Sequence, residues 1–380
     1  MRPTSENELA ELIAGAKAPF TIKGGGTRLA GLRESDTLDT SGLSGITLYE
    51  PGALTLVAQT GTSLAEIEAA LAAENQRLAF EPPDMRDVLG TSGESTIGGI
   101  AASNASGSRR ISAGACRDFM LGVRFVDGVG NVVKNGGRVM KNVTGYDLVK
   151  LMSGAHGTLG VLSEVSLKVL PTPETQATLV FVGCGWAATS EIFAQAMNSP
   201  YEVSAAARLP AGFRNNTKGV TLLRVEGFEF QVKHRVEKLA KLFQITPDHI
   251  ETRAEVNAEL WSDVRDVKAF PFSDNHLWRI SVKPTDMQRV AAALDKGHEQ
   301  VSVDWAGGLI WTEAEPHENV REKLAGIAGH ATLMRAREAT FAKIARFHPE
   351  PAPLAKISAN LRARFDPKDL FNAGLMGDHS

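Results

Sequence analysis

The stretch FTIKGGGTRLAG (Phe20–Gly31) decides the reading. A short run of strand formers, Phe20, Thr21 and Ile22, leads into three consecutive glycines, Gly24, Gly25 and Gly26. Such a run costs backbone entropy and suits places where φ is positive or where something approaches the chain closely. Taken alone it allows two readings. One is a plain turn. The other is a row of bare N–H groups, which makes a concavity for an anion. The rest of the chain chooses between them.

Known nucleotide motifs do not. A P-loop requires Gly-x-x-x-x-Gly-Lys-Ser/Thr, but Leu32 and Arg33 follow Gly31. A Rossmann turn requires Gly-x-Gly-x-x-Gly opening a helix, but Leu29 holds the third glycine position and a turn-rich segment follows. No His-Glu-x-x-His zinc helix and no Gly-x-Ser-x-Gly nucleophile elbow occurs.

Length and composition bound the classes. The chain has 380 residues, which suggests two domains. A hydrophobic fraction of 43% with 22% charged residues is ordinary for a globular protein. The net charge of −3 leaves no footprint for nucleic acid. The acidic start MRPTSENELAELI is unlike a secretory signal, and Thr175–Ser190 is too short and polar to span a bilayer. The two cysteines, Cys116 and Cys184, cannot supply an iron–sulfur cluster or a four-cysteine zinc site. They suit a reduced, cytoplasmic setting and read as buried small hydrophobes.

Along the chain, Ser5 and Ser63 stand as helix caps, each with a glutamate three residues on. Strands are expected at 19–23, 46–50, 54–60, 121–127, 131–134 and 161–170. FEPPDM (80–85) excludes helix interior through its prolines. Residues 86–116 are rich in Gly, Ser, Thr and Ala, and a helix is expected from about 144 to 152. PTPET (171–175) reads as a boundary. Beyond it, strands at 178–182, 220–226, 277–283, 301–304 and 308–312 alternate with helices at 188–197, 230–243, 285–294 and 317–328. This is an α+β pattern with mostly antiparallel strands. No internal repeat is evident.

Two further stretches join the first. GESTIGGIAASNASGSRRISAG (93–114) is dominated by small residues, and a loop that long inside a compact domain usually serves function. GTLGVLSEVSLKVLP (157–171) is a glycine turn feeding an alternating strand. In this order the three segments resemble the PCMH-type FAD-binding domain of the vanillyl-alcohol-oxidase family. FDPKDLFNAG (365–374) is similar to the ending of many members, with Ala373 in place of the usual proline.

The resemblance implies an α+β fold: a two-subdomain PCMH-type FAD-binding domain (1–175), a ferredoxin-like cap (176–345) and a C-terminal segment (346–380) returning to the first domain. It implies FAD as cofactor, with Gly24, Gly25, Gly26 and Thr27 on the diphosphate and Arg28 assisting. It places Pro83, Thr96, Gly98, Gly99, Ser103, Gly107, Gly160 and Val161 along the rest of the cofactor. Thr27 stands where some members carry the histidine that bonds flavin covalently, so the FAD is expected to be non-covalent. Arg109, Arg110 and Arg117 are candidates for an anionic substrate or a reduced flavin, each weighed against an ordinary solvated arginine. Lys141 and Tyr146 are read as subunit-specific structure, and His156 as a turn residue rather than a base.

Within the family the chain is similar to the FAD-binding subunits of glycolate oxidase. That implies oxidation of a small 2-hydroxy acid inside a complex, beside a homologous FAD-binding catalytic subunit and an iron–sulfur subunit, with any membrane association made through that complex. The His-rich HGDGN-like segment of catalytic relatives is missing, and DWAGG (304–308) lies near its place. No catalytic residue is therefore assigned. A stand-alone FAD-linked dehydrogenase and a non-catalytic structural subunit remain the alternatives.

Overall fold

The computed structural model describes residues 1–28, 35–138, 145–294 and 300–377. Lys141, the start of the helix expected near 144, and the loop beyond Arg28 lie outside them.

The N-terminal unit is built on strands β1 (Phe20–Lys23), β2 (Asp36–Asp39), β3 (Ile46–Glu50), β4 (Thr55–Gln59), β5 (Gln76–Arg77), β6 (Met120–Val126), β7 (Val132–Gly136), β8 (Val161–Lys168) and β9 (Leu170–Pro171). β1 and β2 pair in parallel. β3-β4-β8-β6-β7 form an antiparallel sheet in that order. Its apolar face, with Leu56, Val123, Val165 and Leu167, packs on the helices Leu64–Ala73 and Ile97–Ser103. Ser5 and Ser63 cap their helices as expected, accepting from the backbone N–H of Glu8 and Glu66.

The second unit contains β10 (Thr175–Val182), β11 (Val203–Leu209), β12 (Val220–Gly227), β13 (His249–Glu251), β14 (His276–Val282), β15 (Val301–Asp304), β16 (Leu309–Ala314) and β17 (Gly329–Arg335). All pairings are antiparallel, in the order β13-β10-β12-β11-β15-β16-β14-β17. This order hides a repeat. β10 to β13 run strand-helix-strand-strand-helix-strand with neighbours β13-β10-β12-β11, and β14 to β17 do the same with β17-β14-β16-β15. The cap is thus two ferredoxin-like halves joined edge to edge where Arg208 faces Val303. The repeat corrects the sequence reading, which found none.

The chain's end returns to the N-terminal unit. The Phe20 N–H donates to the Leu370 carbonyl at 2.6 Å, and the Asn372 N–H donates to the Phe20 carbonyl at 3.0 Å. Leu370 and Phe371 share a core with Leu9, Ile13, Leu38 and Val161.

One face of the eight-stranded sheet packs on its own helices. The other packs partly on the N-terminal unit, through Met85, Val88 and Leu89 against Leu277, Trp305, Leu309 and Trp311. A charge network crosses the same junction. Arg224, 1% exposed, donates twice to the Glu81 carboxylate at 3.0 Å, and Arg109 bonds both Glu81 (2.7 Å) and Glu226 (2.6 Å). Nearby, Ser108 Oγ donates to Asp304 Oδ2 at 2.7 Å.

Candidate functional site

β1 delivers the chain to Gly24–Thr27, and this turn lies directly on residues 93–98. The contact demands glycine. A Cβ on Gly25 would overlap the Glu94 carbonyl oxygen, and one on Gly24 would overlap Thr96 Oγ1. Gly98 is likewise bare because Thr60 lies against it, with its N–H donating to the Thr60 carbonyl at 2.8 Å. Part of the glycine signal is therefore packing between two segments. Gly26, at φ +75°, makes the turn itself.

Residues 93–114 are not the long loop that composition suggests. They fold into the helices Ile97–Ser103 and Arg110–Ala113. Thr96 caps the first of these, and Asn104 ends it in a left-handed conformation. Ser103 turns its hydroxyl back onto the Gly99 carbonyl at 2.7 Å.

Together these elements wall a cleft. Gly24, Gly25, Gly26, Thr27 and Arg28 form one side, Thr96, Gly98, Gly99 and Ser103 the next, and Gly160 and Val161 the floor. His156, Arg346 and Asn372 close it. The Val161 side chain is buried in the core, so the residue meets the cleft through its backbone. Two of the expected residues fall outside the lining. Pro83 instead accepts a hydrogen bond from Arg28 Nη2 through its carbonyl. Gly107 belongs to the junction of the two units: its N–H donates to the Phe80 carbonyl (2.8 Å), and its carbonyl accepts from the Trp305 indole (3.0 Å).

The cleft is suited to an anionic, extended ligand. Among the described residues, the backbone N–H groups of Gly25, Gly26 and Thr27 donate to no protein acceptor. Arg28 Nη1 is held by Thr27 Oγ1 and Ser95 Oγ, each at 3.1 Å, while its buried Nε has no partner. Burial pushes the Arg28 guanidinium down to about 10. An anion here restores the stabilisation that desolvation removed.

Beside the cleft, and sharing Arg346 and Leu375 with it, lies an open groove of about 1910 Å³ lined by His330, Thr332, Phe347 and His348. His156 sits at the joint. Its backbone has φ +50°, its ring lies 4.8 Å from that of Phe347, and its carbonyl accepts from Asn372 Nδ2. Burial, then Arg346 and Arg279, push its pKa down to about 3, so it is neutral and too weak a base for proton abstraction near pH 7.

The three arginine candidates separate. Arg109 is consumed by Glu81 and Glu226. Arg117 is half exposed beside Asp118, at 3.8 Å. Arg110 instead lies over the Trp305 ring, 4.4 Å from its centroid, and Arg279 of β14 approaches the same ring at 5.1 Å. Arg279 did not stand out in the sequence. The available signal was a lone arginine inside the apolar run LWRIS (277–281), in a strand whose Trp278 and Ile280 fill the cap core.

The FAD binding domain family matches residues 1–136. Over 364 residues the chain is 36% identical to the glycolate oxidase subunit GlcE of Escherichia coli K12, covering 95% of this chain and 93% of that one. The chain belongs to the GlcE family. Two further relatives match about half of the chain. The glycolate oxidase subunit GlcD of Bacillus subtilis is 31% identical over 47% of this chain and 38% of its own length. A D-lactate dehydrogenase of Anaerostipes hadrus is 32% identical over 47% and 37%. An alkyldihydroxyacetonephosphate synthase structure superposes with a TM-score of 0.70 at 16% identity, covering 98% of this chain and 76% of that one, and shares the fold. The GlcE-family chain is thus an FAD-binding protein of the PCMH type, and the cleft's donors and bare glycine wall fit that cofactor. No helix among the described residues is long and apolar enough to cross a membrane.

Proposed function

We propose that the chain is the FAD-binding subunit of a complex that oxidises glycolate to glyoxylate and passes the electrons to an iron–sulfur subunit, beside a homologous flavin subunit. The observation that carries the reading is the cleft, whose undonated N–H groups and desolvated Arg28 stand between the motifs of the FAD-binding family. Gly25, Gly26 and Thr27 bind the diphosphate through their backbone, and Arg28 adds charge. The helix Ile97–Ser103 presents Gly99 and Ser103 along the rest of the ligand. Thr27 has no nucleophilic ring nitrogen, so attachment is non-covalent.

Bound FAD supplies a two-electron acceptor for hydride leaving the hydroxyl-bearing carbon. The residues facing the groove supply the remainder. His330, exposed on the wall of the groove, has its pKa lowered by partial desolvation, with Arg279, His348 and Arg110 adding to the effect, and its ring can take the hydroxyl proton. Cys116 and Cys184 are both buried and free, and Cys116 is pushed up to about 12 by burial, so neither ligates a cluster. Electrons therefore leave through another chain, in the cytoplasm or at a membrane reached through the complex.

The test is glycolate–dye reductase activity of the chain alone and after co-expression with the two partner subunits. Activity that needs the partners supports the reading. Full activity of the isolated chain replaces it with a stand-alone dehydrogenase. Undiminished activity in a complex whose Arg28→Ala chain holds no FAD makes this subunit structural.

A further inference from the structure

Arg110 and Arg279 come from different units, one from the helix Arg110–Ala113 and the other from β14, and converge on Trp305. Neither guanidinium makes a hydrogen bond or ion pair with any described residue. This contrasts with Arg109 and Arg224, which are satisfied by the Glu81 and Glu226 carboxylates at the same junction. Burial, with the charge of Arg110 adding to it, pushes the Arg279 guanidinium down to about 10. Both side chains are half-buried, and two like charges drawn to one ring with no bonded counterion repel, a cost that an anion between them removes.

The place is joined to the cofactor cleft. Arg279 pairs in register with Thr332 of β17, which lines the groove. The next residue, Leu333, donates its N–H to the Arg346 carbonyl at 2.8 Å, and Arg346 lines the cleft. Trp305 ties the two units together, since its indole N–H reaches the Gly107 carbonyl and its neighbour Asp304 accepts from Ser108. The joint is therefore already built from both units, and its missing element is negative charge.

We propose that Arg110 and Arg279 form one carboxylate site spanning the two units, which takes the carboxylate of the 2-hydroxy acid and so fastens the cap to the FAD-binding unit when substrate is bound. The identity of the anion rests on the functional reading above; the existence of the site does not. A planar carboxylate accepts from two guanidiniums in charge-assisted hydrogen bonds.

The experiment uses the full-length chain, FAD-loaded and within its complex where that is how it purifies. Oxalate is the probe, as a planar analogue of the acid. Thermal unfolding and flavin absorbance are followed as oxalate is added. The wild type should show a rising unfolding midpoint and a perturbed flavin spectrum. Arg279→Met and Arg110→Met should each bind oxalate roughly 10–100-fold more weakly, while Arg279→Lys should keep part of the affinity. Without oxalate, Arg279→Met should unfold at or above the wild-type temperature, because it removes an uncompensated charge; a merely structural arginine gives a loss.

The proposal is overturned if oxalate leaves the wild-type midpoint unchanged, or if the variants bind it as tightly as wild type. It is also overturned if inorganic phosphate at equal ionic strength acts as strongly, or if the variants are destabilised without anion. The thermal measurement needs no flavin, so its failure is separate from failure of the functional reading, which shows as a chain that takes up no FAD. Glycolate reducing the flavin of Arg279→Met at wild-type half-saturation keeps that reading and removes the arginine pair.

Discussion

Removing the Glu81 carboxylate should loosen the cap from the FAD-binding unit. Glu81 accepts two hydrogen bonds from Arg224, one from the Arg109 backbone N–H at 2.8 Å, and an ion pair from Arg109 at 2.7 Å. Arg224 is 1% exposed, so in Glu81→Ala its charge stays buried with Glu226, at 3.6 Å, the Ser204 hydroxyl and the face of Trp261 to meet it. Breaking a buried pair on one side costs about 3–5 kcal/mol. For a unit of this size that is roughly 6–20 °C in the unfolding midpoint. Glu81→Gln keeps acceptor geometry without charge and should fall between. The double variant Glu81→Ala/Arg224→Met should recover much of the loss, because no orphaned charge remains. Differential scanning calorimetry of the four proteins gives the comparison. A Glu81→Ala midpoint within 2 °C of wild type, or a double variant worse than both singles, would refute the account of this junction.

Two further outcomes concern the cleft and the junction. Gly99 is a helical glycine whose added Cβ would meet only Thr96 Oγ1, at 3.5 Å, so Gly99→Asp should fold normally while pointing a carboxylate into the cleft. At about 6 Å from a phosphate and an effective dielectric near 20 the repulsion is roughly 3 kcal/mol, so FAD affinity should drop about a hundredfold; full FAD content by absorbance would place the cofactor elsewhere. Stability should also peak near pH 5, read from calorimetry across pH. Burial pushes Asp304 up from 3.8 to about 6, overriding its bonds from Ser108 and the Trp305 N–H, so its contribution is present below 3.8 and is lost as pH rises through 6. Glu81 and Glu226 are held below 4.5 by Arg224 and Arg109 against burial, so their contribution is present above 4.5 and is lost as pH falls below it. Asp304→Asn should flatten the upper limb only, and an unchanged upper limb contradicts the assignment.

The strands of the first unit were legible because their apolar alternation agrees with their final burial: 46–50 was read at its observed bounds, and the 120–136 hairpin nearly so. The helix Ile97–Ser103 was not. Its glycines, alanines and serine carry almost no amphipathic signal, and it is specified by the Thr96 cap and by packing on Thr60. β11, VSAAARL, was missed for a related reason. It is covered on both faces, Val203 and Ala206 on one and Ala205, Ala207 and Leu209 on the other, so alanine serves where alternation was sought. The glycine run was legible as a site, but sequence could not divide it. Gly25 and Gly98 are bare because backbone or Thr60 fills their Cβ positions, whereas Gly99 is open to the cleft. Gly107 carried the same composition and lies at the unit junction instead. Arg279 depended on a tertiary meeting with Arg110 and Trp305 that no local pattern encodes.

The central claim is that the cleft between Gly24–Arg28 and Thr96–Ser103 holds one FAD without a covalent bond. The direct measurement is the visible spectrum of the purified full-length chain, followed by acid precipitation and a second spectrum of supernatant and pellet. The account predicts a flavin spectrum near one FAD per chain that passes wholly into the supernatant. A chain that stays colourless after incubation with FAD, or a yellow pellet, would contradict it.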